Sequence, residues 1–232
     1  MGNHFNSKIQ NDDSNFETAN DLLMDDIVAA NVYNKLVNDL LQDLQINKCV
    51  YTESQTFWTL TIKSLKDSRM IRLCRIFDNE KNSISFPNML DAIKEHKHFY
   101  SSENFRNRLK DNPFLDSLIK EKRSLNLENI NSEIEEIKSN DTVRKITLYR
   151  NNFLAHRSLK AGLNNYVILI DNPIDAEEID SILDFCTQTI NKYLTLFKAV
   201  SWATKIIGHE DYAALIKFAN IGSQKYRLNN SL

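Results

Sequence analysis

The stretch that decides the fold is DLLMDDIVAANVYNKLVNDLLQDLQ, residues 21–45. Leu23, Ile27, Ala30, Asn34, Val37, Leu41 and Leu44 recur at alternating spacings of four and three, which lays them along one narrow seam of a helix. Tyr33, Leu36 and Leu40 widen that seam into a core-facing stripe. The pattern predicts a helix from about Asp21 to Gln45. Asn34 has two readings: a polar residue that fixes register between paired helices, or one at the edge of the stripe.

Working outward, a second long helix is expected over Glu53 to Phe77, with Trp58, Ile62, Leu65, Leu73, Ile76 and Phe77 buried. Arg69, Arg72 and Arg75 follow one another at i, i+3 and i+6 on it. Such arginines form a solvated face, pair with neighbouring carboxylates, or reach a ligand phosphate. A polar loop leads to Phe86-Pro87, a proline suited to a first helical turn. Shorter helices are expected at 88–98, 102–110, 114–122 and 127–139, with Ser101 or Ser102 and Pro113 marking starts. His96 and His98, two apart, do not share a helical face and make a poor metal pair.

Asn140 or Asp141 caps a helix over about 141–160, which Gly162 and Asn164-Asn165 end. Tyr166–Ile170 is short and β-branched, an isolated strand or an extended connection. Asp175-x-x-Glu178 resembles a capping box opening a helix over about 175–204. A last helix over 210–220 stops at Gly222. The fold class is therefore all-α, a bundle of four to five main helices with shorter ones inserted. The domain reading is a flexible tail at 1–18, one helical domain at 19–222 and a C-terminal tail at 223–232.

Composition agrees. Only 4 glycines and 3 prolines occur in 232 residues, too few for the turns of an all-β chain. A net charge of −2 excludes a protein that coats nucleic acid through a global basic field. Cys49, Cys74 and Cys186 lack C-x-x-C spacing and read as reduced core thiols. The polar N-terminus lacks the apolar run of a signal peptide, and no later run approaches a membrane span, so a cytoplasmic location is expected. No zinc-type cluster, phosphate-cradling glycine loop, nucleophile elbow or dinucleotide fingerprint is present, so neither a metal nor a cofactor is expected.

One segment carries chemistry. Residues 144–160, RKITLYRNNFLAHRSLK, hold basic side chains and a histidine with no acid after Asp141. A local patch of this kind holds a phosphodiester while the chain as a whole stays acidic. Cleaving RNA without a metal needs a base for the ribose 2′-OH and a cation at the phosphate. Histidine suits the first role near neutrality and arginine the second. Arg150 and His156 lie six apart, which along an α-helix is about 9 Å of rise and roughly 240° of rotation. They are not stacked neighbours, whereas Asn152 and His156 are. Arg150 of one copy and His156 of another would converge across a cleft between two such helices, so the spacing favours a dimeric site.

The tract Arg150-Asn151-Asn152-Phe153-Leu154-Ala155-His156-Arg157 resembles the signature of the HEPN superfamily, in which an arginine and a polar residue precede a histidine. Its Leu-Ala-His-Arg ending is most similar to the AbiU-type branch, linked to abortive infection and phage defence. The earlier tract fits that branch too: Phe57-Trp58 opens a helix that ends in Arg75-Ile76-Phe77-Asp78, with Ser83-Ile84-Ser85 after it. The resemblance spans about residues 20–200.

It implies that Arg150 and His156 are the catalytic pair and Asn151 their polar companion. It also implies a bundle that dimerises through the motif helix, and metal-independent endoribonuclease action leaving a 2′,3′-cyclic phosphate and a 5′-hydroxyl. Asn152, Arg157 and Arg144 are expected phosphate or RNA contacts. RNA is the expected partner, with an antitoxin of nucleotidyltransferase type a further one. Ser158 departs from the pattern, standing where an acid is expected after His-Arg. Two readings compete with the nuclease: a non-catalytic HEPN module binding a nucleotide or a partner protein, and a structural dimer in which Arg150 pairs with an acid.

Overall fold

The computed structural model describes residues 13–119, 125–154, 172–204, 208 and 210–230. Ten α-helices make up the described fold: α1 (Asp13–Ile46), α2 (Lys48–Glu53), α3 (Gln55–Ile76), α4 (Phe86–Glu95), α5 (Ser102–Arg108), α6 (Leu115–Ile119), α7 (Leu127–Ser139), α8 (Asp141–Tyr149), α9 (Ala176–Lys198) and α10 (Asp211–Asn230). A 3₁₀ turn, Lys97–Tyr100, links α4 to α5, and a π-helical turn, Arg150–Leu154, continues α8. The all-α bundle expected from the sequence is the architecture found. The expected strand at 166–170 lies outside the described residues.

The long helix α1 packs along α3 and α9. Its buried side is the expected seam: Leu23, Ile27, Ala30, Asn34, Val37 and Leu44 are all buried. Asn34 sits at the centre of that face rather than at its edge. Its amide donates to Asp180 Oδ1 on α9 at 2.5 Å, and its carbonyl accepts from Arg69 Nη1 on α3 at 2.6 Å. One side chain thus ties three helices together and satisfies its own buried polar atoms. Arg72 and Arg75 both pair with Asp26 of α1, whose carboxylate is 6% exposed. The three arginines of α3 are therefore engaged with α1.

Both expected tails are corrected in part. α1 begins at Asp13, and Phe16 is fully buried, its ring 5.4 Å from Phe99 and 5.1 Å from Phe197. Arg108 stacks over Phe197 and pairs with Asp13, which fastens the start of the helix. At the other end α10 runs through Gly222 to Asn230. A helical glycine costs only about 1 kcal/mol relative to alanine, and contacts beyond it decide. Ser223 and Arg227 both bond to Glu53 of α2 and hold the helix past the glycine.

Ends follow local chemistry. The capping box at Asp175 and Glu178 is formed in both directions. The helix it opens ends at Lys198, short of the expected 204, where Ala199 turns left-handed at φ 55°. Asn140 caps α8 by accepting from the Val143 N–H, and Ser101 caps α5. Among the described residues no helix is long and apolar enough to cross a membrane.

Candidate functional site

α8 leads into the motif, and its apolar side fixes its position. Ile146 is fully buried and Val143 nearly so, which seats the helix against α3 and α9. Cys74 of α3 lies under this contact, its thiol 3.9 Å from the Ile146 carbonyl oxygen. Burial pushes that thiol up to about 12, opposed by the nearby charge of Arg150 and reinforced by that of Asp78. On the solvent side Lys145 bonds to Glu178 at 2.5 Å and Arg144 to Asp141 at 2.8 Å. The hydrogen bond that Lys145 donates to Glu178 raises the Lys145 pKa, and the one Asp141 accepts from Arg144 lowers the pKa of Asp141.

At Arg150 the α-helix gives way to the π-helical turn Arg150–Leu154. Such wide turns are rare and concentrate at functional positions. The turn corrects the expectation of one regular α-helix through the motif: each residue it inserts rotates the chain beyond it by about 100° relative to α register. The rotation of an ideal α-helix therefore does not apply across positions 150–154.

The Arg150 guanidinium lies 3.1 Å from Asp78 Oδ1, with the two side chains 27% and 19% exposed. The same Oδ1 accepts the Glu80 N–H at 2.9 Å, an Asx-type turn that fixes the carboxylate before the arginine meets it. Ser83 and Asn88 bond back to the Glu80 carbonyl and stitch the loop shut. Asp78 is the residue that sequence reasoning missed. It ends the Arg75–Asp78 tract singled out beside the motif, and the structure joins the two tracts through it.

The remaining expected site residues divide. Asn151 is exposed. Asn152 donates its side-chain amide to the Leu148 carbonyl at 2.8 Å, which engages one of its donors within the helix. Arg144 is 53% exposed but held by Asp141 and by Asn172 at 3.2 Å. His156 and Arg157 lie outside the described residues, as does Ser158. Among the described residues no cluster of His, Cys, Asp and Glu could hold a metal ion.

A family model for AbiU2, of the HEPN class, matches residues 13–218, nearly the whole described fold. The chain belongs to the HEPN AbiU2 family. No curated protein and no solved structure gives a significant match to it. For this HEPN AbiU2 protein the matched span includes both tracts, Arg75–Asp78 and Arg150–Arg157, so the ion pair between them falls within the family's domain.

Proposed function

We propose that this HEPN AbiU2 protein is a metal-independent endoribonuclease acting in phage defence, by abortive infection or as a toxin. The ribose 2′-oxygen attacks the adjacent phosphorus as His156 takes its proton. Arg150 stabilises the charge that develops on the phosphate oxygens. The bond to the 5′-oxygen breaks, that oxygen takes up a proton, and a 2′,3′-cyclic phosphate and a 5′-hydroxyl result. Asn151 orients the histidine or the substrate, and Arg157 and Arg144 hold flanking phosphates. A homodimer through the motif helix supplies Arg150 and His156 to a shared cleft in the cytoplasm, and a nucleotidyltransferase-type partner restrains it.

The observation that carries this reading is Arg150 itself. It stands at the head of a π turn, partly open to solvent, with its guanidinium aimed by a carboxylate that its own loop holds in place. A second reading, a non-catalytic HEPN module that binds a nucleotide or a partner protein, draws on the same contact, since an arginine already paired with Asp78 can serve structure alone. Substitution separates the two. In a nuclease, His156→Ala removes turnover and leaves RNA affinity within a few-fold. A binding module binds without cutting in both forms.

A further inference from the structure

Beside the motif, on the face of α8 one residue back from Arg150, a cleft of about 590 Å³ opens between α3 and α8. Its size lies in the range of small-molecule sites, about 300–1,000 Å³. Ile62 and Met70 of α3 face Leu148 and Tyr149 of α8 across it, while Asn172–Ile174 and Tyr51 close it. Its lining is apolar and aromatic at heart and cationic at the edge. Four cationic side chains line it (Lys63, Lys66, Arg69 and Lys145) against one carboxylate, Asp67. Lys63, Lys145 and Arg69 are balanced by Asp67, Glu178 and Asp180, so the positive charge the cleft offers a ligand is that of Lys66.

Two of these cations have donors to spare. Lys66 is exposed and makes no ion pair among the described residues. Arg69 gives Nη1 to Asn34, but its buried Nε has no acceptor among the described residues. Lys63 is held by Asp67 at 2.9 Å and Lys145 by Glu178, so they shape the rim. Tyr51 and Thr59, joined hydroxyl to hydroxyl at 3.3 Å, add a polar end.

We infer that this cleft is a nucleotide subsite, with Tyr149 and Met70 flanking the base and Lys66 taking an adjoining phosphate. A cleft lined by apolar and aromatic side chains with lysines among them suits a molecule with a planar ring and a phosphate. Aromatic side chains bind bases without regard to sequence because every base has a π face. The placement also suits a strand rather than a lone nucleotide. Tyr149 lines the cleft, and the next residue, Arg150, pairs with Asp78 just past the end of α3. Along α3 the cleft residue Met70 and the helix end at Ile76 are about 9 Å apart, so a short oligonucleotide spans both. This last step rests on the endoribonuclease reading; the subsite itself does not.

The test is binding, kept apart from cleavage. Fluorescein-labelled 2′-O-methyl RNA, which cannot be cut through its 2′-oxygen, is titrated with the full chain, and AMP, UMP and inorganic phosphate are added as competitors. Lys66→Glu and Thr59→Trp change exposed positions and should fold as wild type, which thermal melts check. Lys225→Glu on α10, away from the cleft, is the control. Lys66→Glu is expected to weaken RNA binding about tenfold, Thr59→Trp by at least as much by filling the cleft, and Lys225→Glu by less than twofold. AMP or UMP competing where phosphate does not shows that the free nucleotide suffices, while competition by RNA alone assigns the cleft to a strand. RNA and nucleotide affinities within twofold of wild type in both cleft variants, or no binding of any probe by wild type, overturn the inference. Failure of the nuclease reading shows separately, as binding of the methylated probe without cleavage of unmodified RNA.

Discussion

Replacing Asp78 with asparagine isolates the contact that joins the two tracts. The asparagine carbonyl still accepts the Glu80 N–H, so the loop keeps its turn and only the charge pair with Arg150 is lost. The side chains are 27% and 19% exposed, which places the pair between two regimes. Exposed pairs contribute about 0.2–1 kcal/mol, and breaking a fully buried pair costs about 3–5 kcal/mol. With one nitrogen in range at 3.1 Å, Asp78→Asn should cost about 1 kcal/mol, a fall in Tm of about 2–4 °C for a chain of this size. Asp78→Ala loses the turn as well and should cost about 2 kcal/mol. Urea melts of wild type, Asp78→Asn, Arg150→Met and the double variant give the coupling, expected at about 0.5–1 kcal/mol. A coupling indistinguishable from zero would mean that Asp78 does not hold Arg150 in solution, and the proposed aiming of the guanidinium would fall with it.

Further predictions concern the core and the thiols. Phe16→Ala should cost about 3–5 kcal/mol, because the ring is fully buried among Phe99, Tyr100 and Phe197; a loss under 1 kcal/mol would return residues 13–18 to a tail. Asp26→Ala should cost about 1–3 kcal/mol by freeing Arg72 and Arg75, both of which can turn to solvent; an unchanged urea midpoint would contradict the pairing. Burial raises the pKa of Cys74 to about 12 and raises that of Cys186 as well. A thiol raised in the folded state contributes stability that is full below its ordinary pKa of about 9 and, for Cys74, is lost as pH climbs from there towards about 12. A thiol-reactive dye at pH 8 should therefore label the partly exposed Cys49 first, and equal labelling rates for all three cysteines in the native protein would refute this.

Helix identity was legible wherever local chemistry sets it. Asp175 with Glu178, Asn140, Ser101 and Pro87 marked starts that the structure keeps, because a cap acts on backbone within its own turn. Features that depend on partners far along the chain were not legible. The polar run around Phe16 hid a helix that is stabilised by Phe99, Arg108 and Phe197 from distant segments. Gly222 looked like a stop because Glu53, which holds Ser223 and Arg227, is about 170 residues away. The motif was visible as a basic run with Arg150 in it. Neither the π turn there nor the partnership with Asp78 can be had from spacing, since one is a local departure from helical register and the other a loop-to-helix contact.

Whether the motif cuts RNA is decided by incubating total cellular RNA with the purified protein in EDTA, beside Arg150→Ala and His156→Ala. Wild type is expected to cut, leaving 2′,3′-cyclic phosphate ends, with both variants inactive while still folded. RNA left intact by wild type, or cut equally by all three proteins, would contradict the nuclease assignment.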